Sequence, residues 1–283
     1  MRFTKVHGLG NDFILVDARD GAPLPWGDLA QRVCDRHYGV GADGLILLLA
    51  SGEADFRMRI LNNDGSEAQM CGNGIRCLAR YVFDRGLTTK TSLAIETLAG
   101  VKEIALNLEA DRVVSARVNM GPPIFDPARI PARVDGWMIK DHEIAVGGRT
   151  YAISCVSMGN PHAVIFLDKD ELDALELAEV GPLVEHHPIF PERTNVEFCA
   201  LVSRNRLRMR VWERGAGNTL ACGTGACAAA VQAIIHNYVD PQVELILDGG
   251  PLHVEWQGQE SPVYMTGGAE YVCDGEYYYE PTS

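Results

Sequence analysis

Two short stretches of this chain are versions of one another, and that repetition limits the folds open to it. Cys71-Gly72-Asn73-Gly74 recurs as Cys222-Gly223-Thr224-Gly225, at an offset of 222 − 71 = 151 residues. The same offset carries Asn62 onto Glu213 and Gly44 onto Asn195. Upstream, Gly10-Asn11 in HGLGNDFILVD resembles Gly159-Asn160 in SMGNPHAVIFLD at an offset of 149, and each pair leads into an apolar strand ending in Asp17 or Asp168. A single C-G-x-G match would carry little. Landmarks that recur at nearly constant spacing in both halves indicate an internal duplication, with a period too long for a solenoid. Two similar domains facing each other are therefore expected, over residues 1–119 and 120–266. Met120-Gly121-Pro122-Pro123 marks the linker, because Pro and Gly break both helix and strand. The sequence does not decide whether the tail, residues 267–283, returns to the first domain. Each half is long enough to bury its own core.

Most connections between apolar runs are short, and the runs alternate in the manner of half-buried strands, as in Phe56-Met58-Ile60. Each Cys-Gly motif opens a helix. The first is expected over Gly72–Arg85, with Ile75, Leu78, Ala79, Val82 and Phe83 on one face. The second, Gly223–His236, is apolar nearly all round and so belongs in an interior. The expected fold class is α+β: two pseudo-symmetric domains, each a central helix wrapped by a mostly antiparallel sheet, with the active site in the cleft between them. Shorter helices are expected at Asp28–Arg36, with Asp28 as N-cap, and at Asp170–Val184, broken at Gly181-Pro182.

The chemistry follows from a cysteine at a helix start. The first N–H groups of a helix lack intrahelical acceptors, and together with the macrodipole they favour an anion in front of them. Glycines there admit a ligand close to the backbone. A thiol in that position is expected to shift towards thiolate. If Cys71 and Cys222 face each other, one as thiolate can take a proton from a carbon while the other as thiol returns one to the opposite face. The helix starts would hold the attached carboxylate and stabilise the charge that builds on it. No lysine with a phosphate-cradling loop and no metal-ligand spacing is visible, so the expectation is cofactor-free and metal-free racemisation or epimerisation.

Composition narrows the partners. A net charge of −13 without any Lys/Arg run argues against nucleic acid. No apolar run approaches membrane-spanning length, and MRFTKVHGLGNDF has no signal-peptide pattern. None of the eight cysteines forms C-x-x-C. A cytoplasmic chain with reduced thiols is expected.

The stretches MCGNGIRC at 70–77, GNPH at 159–162, PERTN at 191–195, ERGAGNTLACGTGA at 213–226 and HGLGNDF at 7–13 resemble those of the diaminopimelate epimerase family, in order and over nearly the whole chain. The resemblance implies that family's paired-domain fold and interconversion of LL- and meso-diaminopimelate on the route to lysine. It also implies a homodimer. By matching motif it implies Cys71 and Cys222 as the acid/base pair, and Gly72-Asn73 and Gly223-Thr224 as backbone donors to the reacting carboxylate. It further implies Asn11, Asn62, Asn160, Asn195, Glu213 and Arg214 as substrate contacts. Arg214 suits a distal carboxylate and Glu213 an ammonium. His162 and Glu213 are implied to tune the thiols. Two positions depart from the pattern: Gly44 stands where some members have Gln, and Asn218 where many have Glu.

Blander readings stand beside these. Free cysteines are usually small buried hydrophobes, and Cys34, Cys77, Cys155, Cys199, Cys227 and Cys273 are read that way. Asn11 and Asn160 each follow a Gly and also suit plain turns. His162 also suits a satisfied strand-edge role, Arg214 a surface arginine, and His186-His187 a solvated turn. Rival functions are a proline-type racemase on the same fold and a thiol redox switch. Glu213-Arg214 and the four asparagines favour a substrate with a second polar head, and the lack of C-x-x-C weighs against the switch.

Overall fold

In a computed structural model, residues 1–21 and 24–279 are described, and they divide into two compact units. One comprises Met1–Val118 with Gly267–Ser283, the other Asn119–Thr266. The duplication seen in the sequence is a duplication of strand pairing.

In the first unit, β1 (Arg2–Gly8) pairs antiparallel with β2 (Asn11–Asp17), β2 parallel with β3 (Gly44–Leu49), and β3 antiparallel with β4 (Phe56–Asn62). β4 then pairs parallel with β6 (Ser92–Thr97), which continues antiparallel into β7 (Gly100–Glu109) and β8 (Arg112–Gly121). A two-residue strand, β5 (Glu67–Ala68), pairs on β4. The tail enters as β18 (Glu270–Glu276), antiparallel to β1, with Thr4 opposite Asp274. The second unit repeats the order. β9 (His142–Val146), β10 (Arg149–Ser157) and β11 (Pro161–Phe166) are antiparallel neighbours. β11 is parallel to β12 (Asn195–Ser203), β12 antiparallel to β13 (Arg206–Glu213), and β13 parallel to β15 (Gln242–Leu247). β16 (Gly250–Glu255) and β17 (Val263–Gly267) follow antiparallel, and the three-residue β14 (Gly217–Thr219) pairs on β13 as β5 does on β4. β18 thus stands in the first unit where β9 stands in the second.

Each sheet packs on one long helix, α2 (Gly72–Asp84) and α5 (Gly223–Ile235). In α2 the residues Ile75, Leu78, Ala79 and Val82 recur at helical spacing and are fully buried. Burying each large aliphatic side chain contributes about 1.5–3 kcal/mol. α5 buries Ala226 and Ala228–Ala230 completely. The strand cores match the helices. β3 reads GLILLL and is buried along almost its whole length, as a central strand requires, whereas β6 alternates.

Three local expectations need correction. α1 spans Trp26–Cys34 with Pro25 at its N-cap position, so Asp28 lies inside its first turn. The Asp170–Val184 segment forms two helices, α3 (Lys169–Ala174) and α4 (Leu177–Glu185), and its break lies at Leu175–Glu176, not at Gly181-Pro182. Arg210 explains the position: its Nη1 donates to the carbonyls of Leu172 at 3.0 Å and Leu175 at 2.8 Å, drawing off the end of α3. Gly181 lies within α4, where the helix packs so closely on Trp212 that a Cβ at that position would stand 2.4 Å from the ring. Third, Cys273 on β18 is exposed, unlike the buried Cys34, Cys77, Cys155, Cys199 and Cys227.

Candidate active site

Each unit contributes one cysteine-headed helix start. Cys71 is the N-cap of α2, with extended backbone (φ −138°, ψ 119°), and its Sγ accepts from Gly74 N–H at 3.4 Å. Cys222 is the N-cap of α5 (φ −121°, ψ 114°), and its Sγ accepts from Gly225 N–H at 3.4 Å. Sulfur thus takes the place a Ser, Thr or Asp oxygen usually holds at an N-cap. The cap fixes each sulfur over a helix N-terminus, and an anion in front of either helix meets N–H donors and the positive dipole end.

Around Cys71 lies a chain of amides. Asn11 Nδ2 donates to Asp43 Oδ2 at 2.8 Å, which turns Asn11 Oδ1 towards Asn73 Nδ2, at 3.1 Å, and Cys71 Sγ, at 3.8 Å. Arg36 holds Asp43 at 2.8 Å. The Oδ1 of Asn73 accepts from Arg76 Nη2 at 2.9 Å, and the same fully buried guanidinium donates to the carbonyls of Gly72 at 3.0 Å and Gly268 at 3.2 Å. Cys71 is half-buried, whereas Gly72 and Asn73 are buried. Asn62 is exposed at the end of β4, opposite Gly44, and donates to Ser66 Oγ at 3.0 Å. A Cβ at Gly44 would lie 2.7 Å from the Leu61 carbonyl oxygen, so β3 and β4 approach there more closely than a side chain allows.

Around Cys222 the groups are charged. Glu213, at the end of β13, accepts a hydrogen bond from Thr219 Oγ1 and lies close enough to the Cys222 thiol for each to shift the other's pKa. His162 Nδ1 lies 2.7 Å from Glu197 Oε1, and its Nε2 lies 2.9 Å from Asn160 Oδ1. Asn195 donates to the Pro161 carbonyl at 2.8 Å and accepts from the backbone N–H of Arg214 at 2.9 Å. The Arg214 side chain is exposed and reaches the Glu192 carbonyl at 3.2 Å. Thr224 Oγ1 lies 3.6 Å from Cys222 Sγ, and Gly223 is buried beside it.

These surroundings overturn one expectation. The Cys222 thiol is not pulled towards thiolate but pushed well above an ordinary thiol, first by burial and then by the negative charges of Glu213 and Glu197. The Thr224 hydroxyl and the Gly225 N–H pull the other way and lose. Glu213 is itself raised above an ordinary glutamate, chiefly by burial, against the opposing effects of the Thr219 hydroxyl and the neighbouring Cys222. Burial is also the largest cause at the structural thiols Cys34 and Cys77, which are pushed up to about 12. Among the described residues, no group of three or more His, Cys, Asp or Glu side chains could hold a metal ion. Nor is any helix long and apolar enough to cross a membrane.

Within the first unit, Asn11, Cys71, Gly72 and Asn73 come together, with Asn62 standing apart in its turn. Within the second, Asn160 joins His162, Asn195 joins Arg214, and Glu213 joins Cys222 with Gly223 and Thr224. Sequence reasoning missed Asp43, Arg76, Thr219 and Glu197. Glu197 did leave a signal: it is a carboxylate inside the apolar run NVEFCALV, where every neighbour from Asn195 to Ala200 is buried.

The sequence pattern of the family described as Diaminopimelate epimerase matches residues 3–125 and 154–272. The protein named diaminopimelate epimerase in Desulfovibrio desulfuricans is 49% identical over 284 residues, covering 98% of each chain. Solved structures share the architecture at low identity. A Bacillus anthracis phenazine biosynthesis protein of the PhzF family has a TM-score of 0.71 at 20% identity, over 99% of both chains. A hydroxyproline epimerase from Agrobacterium vitis has a TM-score of 0.68 at 18% identity, over 97% of this chain and 90% of its own. At those identities the structures speak for the fold, and the family match speaks for more: the chain belongs to the diaminopimelate epimerase family, and it is an isomerase of the epimerase type.

Proposed function

We propose that the chain interconverts LL- and meso-diaminopimelate without a cofactor, using Cys71 and Cys222 as a pair of opposed acid/base groups on one α-carbon. The observation that carries this reading is the equivalence of the two cysteines. Each caps the buried helix of a duplicated unit, and each sulfur accepts the N–H three residues on at 3.4 Å. The burial and the two carboxylates that push Cys222 up favour it as the thiol, the proton donor, in the resting protein. Cys71 then removes the α-proton as thiolate, Cys222 delivers a proton to the opposite face, and the configuration inverts with the two thiols exchanging protonation states. Positioned proton transfer of this kind is worth roughly 10²–10⁴-fold in rate. The helix starts at Gly72-Asn73 and Gly223-Thr224 receive the substrate carboxylate and stabilise the charge that develops as the proton leaves. Asn11, Asn62, Asn160, Asn195, Glu213 and Arg214 hold the rest of the substrate, and His162 and Glu213 tune the thiols.

This reading assigns the protein to lysine biosynthesis, as a homodimer in the cytoplasm. Purified, reduced protein is to be incubated with LL-diaminopimelate, meso-diaminopimelate, proline, glutamate and lysine, and configuration followed by chiral chromatography. Inversion confined to diaminopimelate is expected. Inversion of proline with none of diaminopimelate would replace the substrate with that of a racemase, and sedimentation of the same sample tests the dimer.

A further inference from the structure

The charged residue buried deepest beside Cys222 belongs to none of the roles above. Glu197 lies on β12 with no exposed surface, and so does His162 on the neighbouring parallel strand β11. The register sets Val164 opposite Glu197, which places His162 and Glu197 on the same face, two residues apart along the strands. Oε1 of Glu197 takes the His162 Nδ1 at 2.7 Å, while its Oε2 is buried without a hydrogen-bond partner. A buried acceptor left unmatched is destabilising, a cost that an apolar residue at this core position would not incur.

The carboxylate also reaches the start of α5. A Cβ built on Gly225 would lie 2.6 Å from Glu197 Oε1 and 3.2 Å from Cys222 Cβ, so glycine at that position leaves room for the carboxylate under the first helical turn. Gly225 is also the residue whose N–H bonds the Cys222 sulfur. Glu197 therefore touches both the helix start that caps the thiol and the His162 ring, whose other nitrogen meets Asn160 at 2.9 Å. The titratable groups facing Glu197 are His162 from β11, Glu213 from β13 and Cys222 at the head of α5. The buried thiols Cys155 on β10 and Cys199 on β12 also feel its charge.

We propose that Glu197 is a positioning residue of the reaction: it fixes the His162 ring through Nδ1 and stands beneath the start of α5, where it governs the proton exchange of Cys222. The proposal rests on the reading of Cys222 as an acid/base thiol. Its first measurement needs no substrate, so the two can fail separately.

Alkylation of Cys222 by iodoacetamide is to be followed against pH by peptide mass spectrometry, in the wild-type protein and in Glu197→Gln, which keeps the shape and removes the charge. The expected result is a midpoint displaced to lower pH by roughly one unit or more, equivalent to at least about a tenfold faster reaction below the midpoint. The limb of the kcat/KM profile that reports Cys222 is expected to move the same way, with kcat falling and KM nearly constant. A second variant guards against a folding artefact. Gly225→Ala crowds the carboxylate and is expected to shift the midpoint further in the wild-type background than in combination with Glu197→Gln, where only the disturbance of the Gly225 N–H remains. A Cys222 midpoint unchanged in Glu197→Gln overturns the proposal whatever happens to kcat, because a residue that only filled space would leave it in place.

Discussion

Replacing Arg76 by Met tests how the first helix start is held. The side chain is fully buried, and its guanidinium donates to Gly72 O, Asn73 Oδ1 and Gly268 O at 3.0, 2.9 and 3.2 Å. Gly72 O also faces the helical N–H of residue 76 itself, so it keeps a donor when the guanidinium goes. Asn73 Oδ1 and Gly268 O lose a charge-assisted bond each, at about 1–3 kcal/mol apiece. Met fills much of the same volume and removes the cost of burying a cation, which offsets part of the loss. A net destabilisation of about 2–5 kcal/mol is expected, and it should be local to the tie between α2 and the tail segment. Amide hydrogen exchange resolves this where a single melting curve would mix the two units. Protection across Gly72–Asp84 is expected to fall roughly thirtyfold to several thousandfold, at about 1.4 kcal/mol per decade. Peptides of α5 should keep their protection. Activity should fall as well, because Asn73 supports Asn11 and Asn11 supports Cys71. Unchanged protection across α2 would refute the reasoning, since the buried guanidinium would then be neutral in the fold.

Glu213→Gln is expected to stabilise the protein at neutral pH while abolishing turnover. The Glu213 pKa is raised in the fold, first by burial, so the unfolded state ionises first as pH rises. The penalty is absent below the ordinary glutamate value, grows as pH rises towards the folded pKa, and is constant above it. The stability gain of Glu213→Gln should therefore vanish in acid, and urea unfolding at several pH values checks the sign. Gly44→Gln is expected to destabilise by about 1–3 kcal/mol, because a Cβ there meets Leu61 O at 2.7 Å; a higher melting temperature would contradict it. Gly181→Ala is expected to cost at least as much, since the new methyl would lie 2.4 Å from the Trp212 ring, and a shift in Trp emission should accompany the loss.

Much of the fold could be read from the chain because the duplication is written at the positions that organise it. The offset linking Gly44 to Asn195 and Asn62 to Glu213 links the starts of β3 and β12 and the ends of β4 and β13. The cysteines were legible because both follow one rule, a cap residue before a Gly-rich helix start. What the sequence hid depends on contacts between distant residues. β5 and β14 are too short to show a period, and the tail strand needs β1 beside it. The break between α3 and α4 is set by Arg210, which is 35 residues beyond Leu175. The direction in which Cys222 is shifted could not be read from its helix position, because burial and two carboxylates from β12 and β13 outweigh the Thr224 hydroxyl and the Gly225 N–H there. Arg76 looks like a surface residue in composition and Glu197 is marked only by the apolar run around it; the fold buries both completely.

The central claim is that two thiols work on opposite faces of one carbon, and single-thiol variants in D2O test it most directly. Cys71→Ala and Cys222→Ala are each to be incubated with each diaminopimelate isomer, with deuterium uptake read by mass spectrometry and inversion by chiral chromatography. The account predicts that neither variant inverts configuration measurably, a loss of at least roughly a thousandfold. Any residual exchange should be confined to the isomer whose proton faces the remaining thiol, and the two variants should differ in which isomer that is. Inversion at a near wild-type rate by either variant would contradict the account.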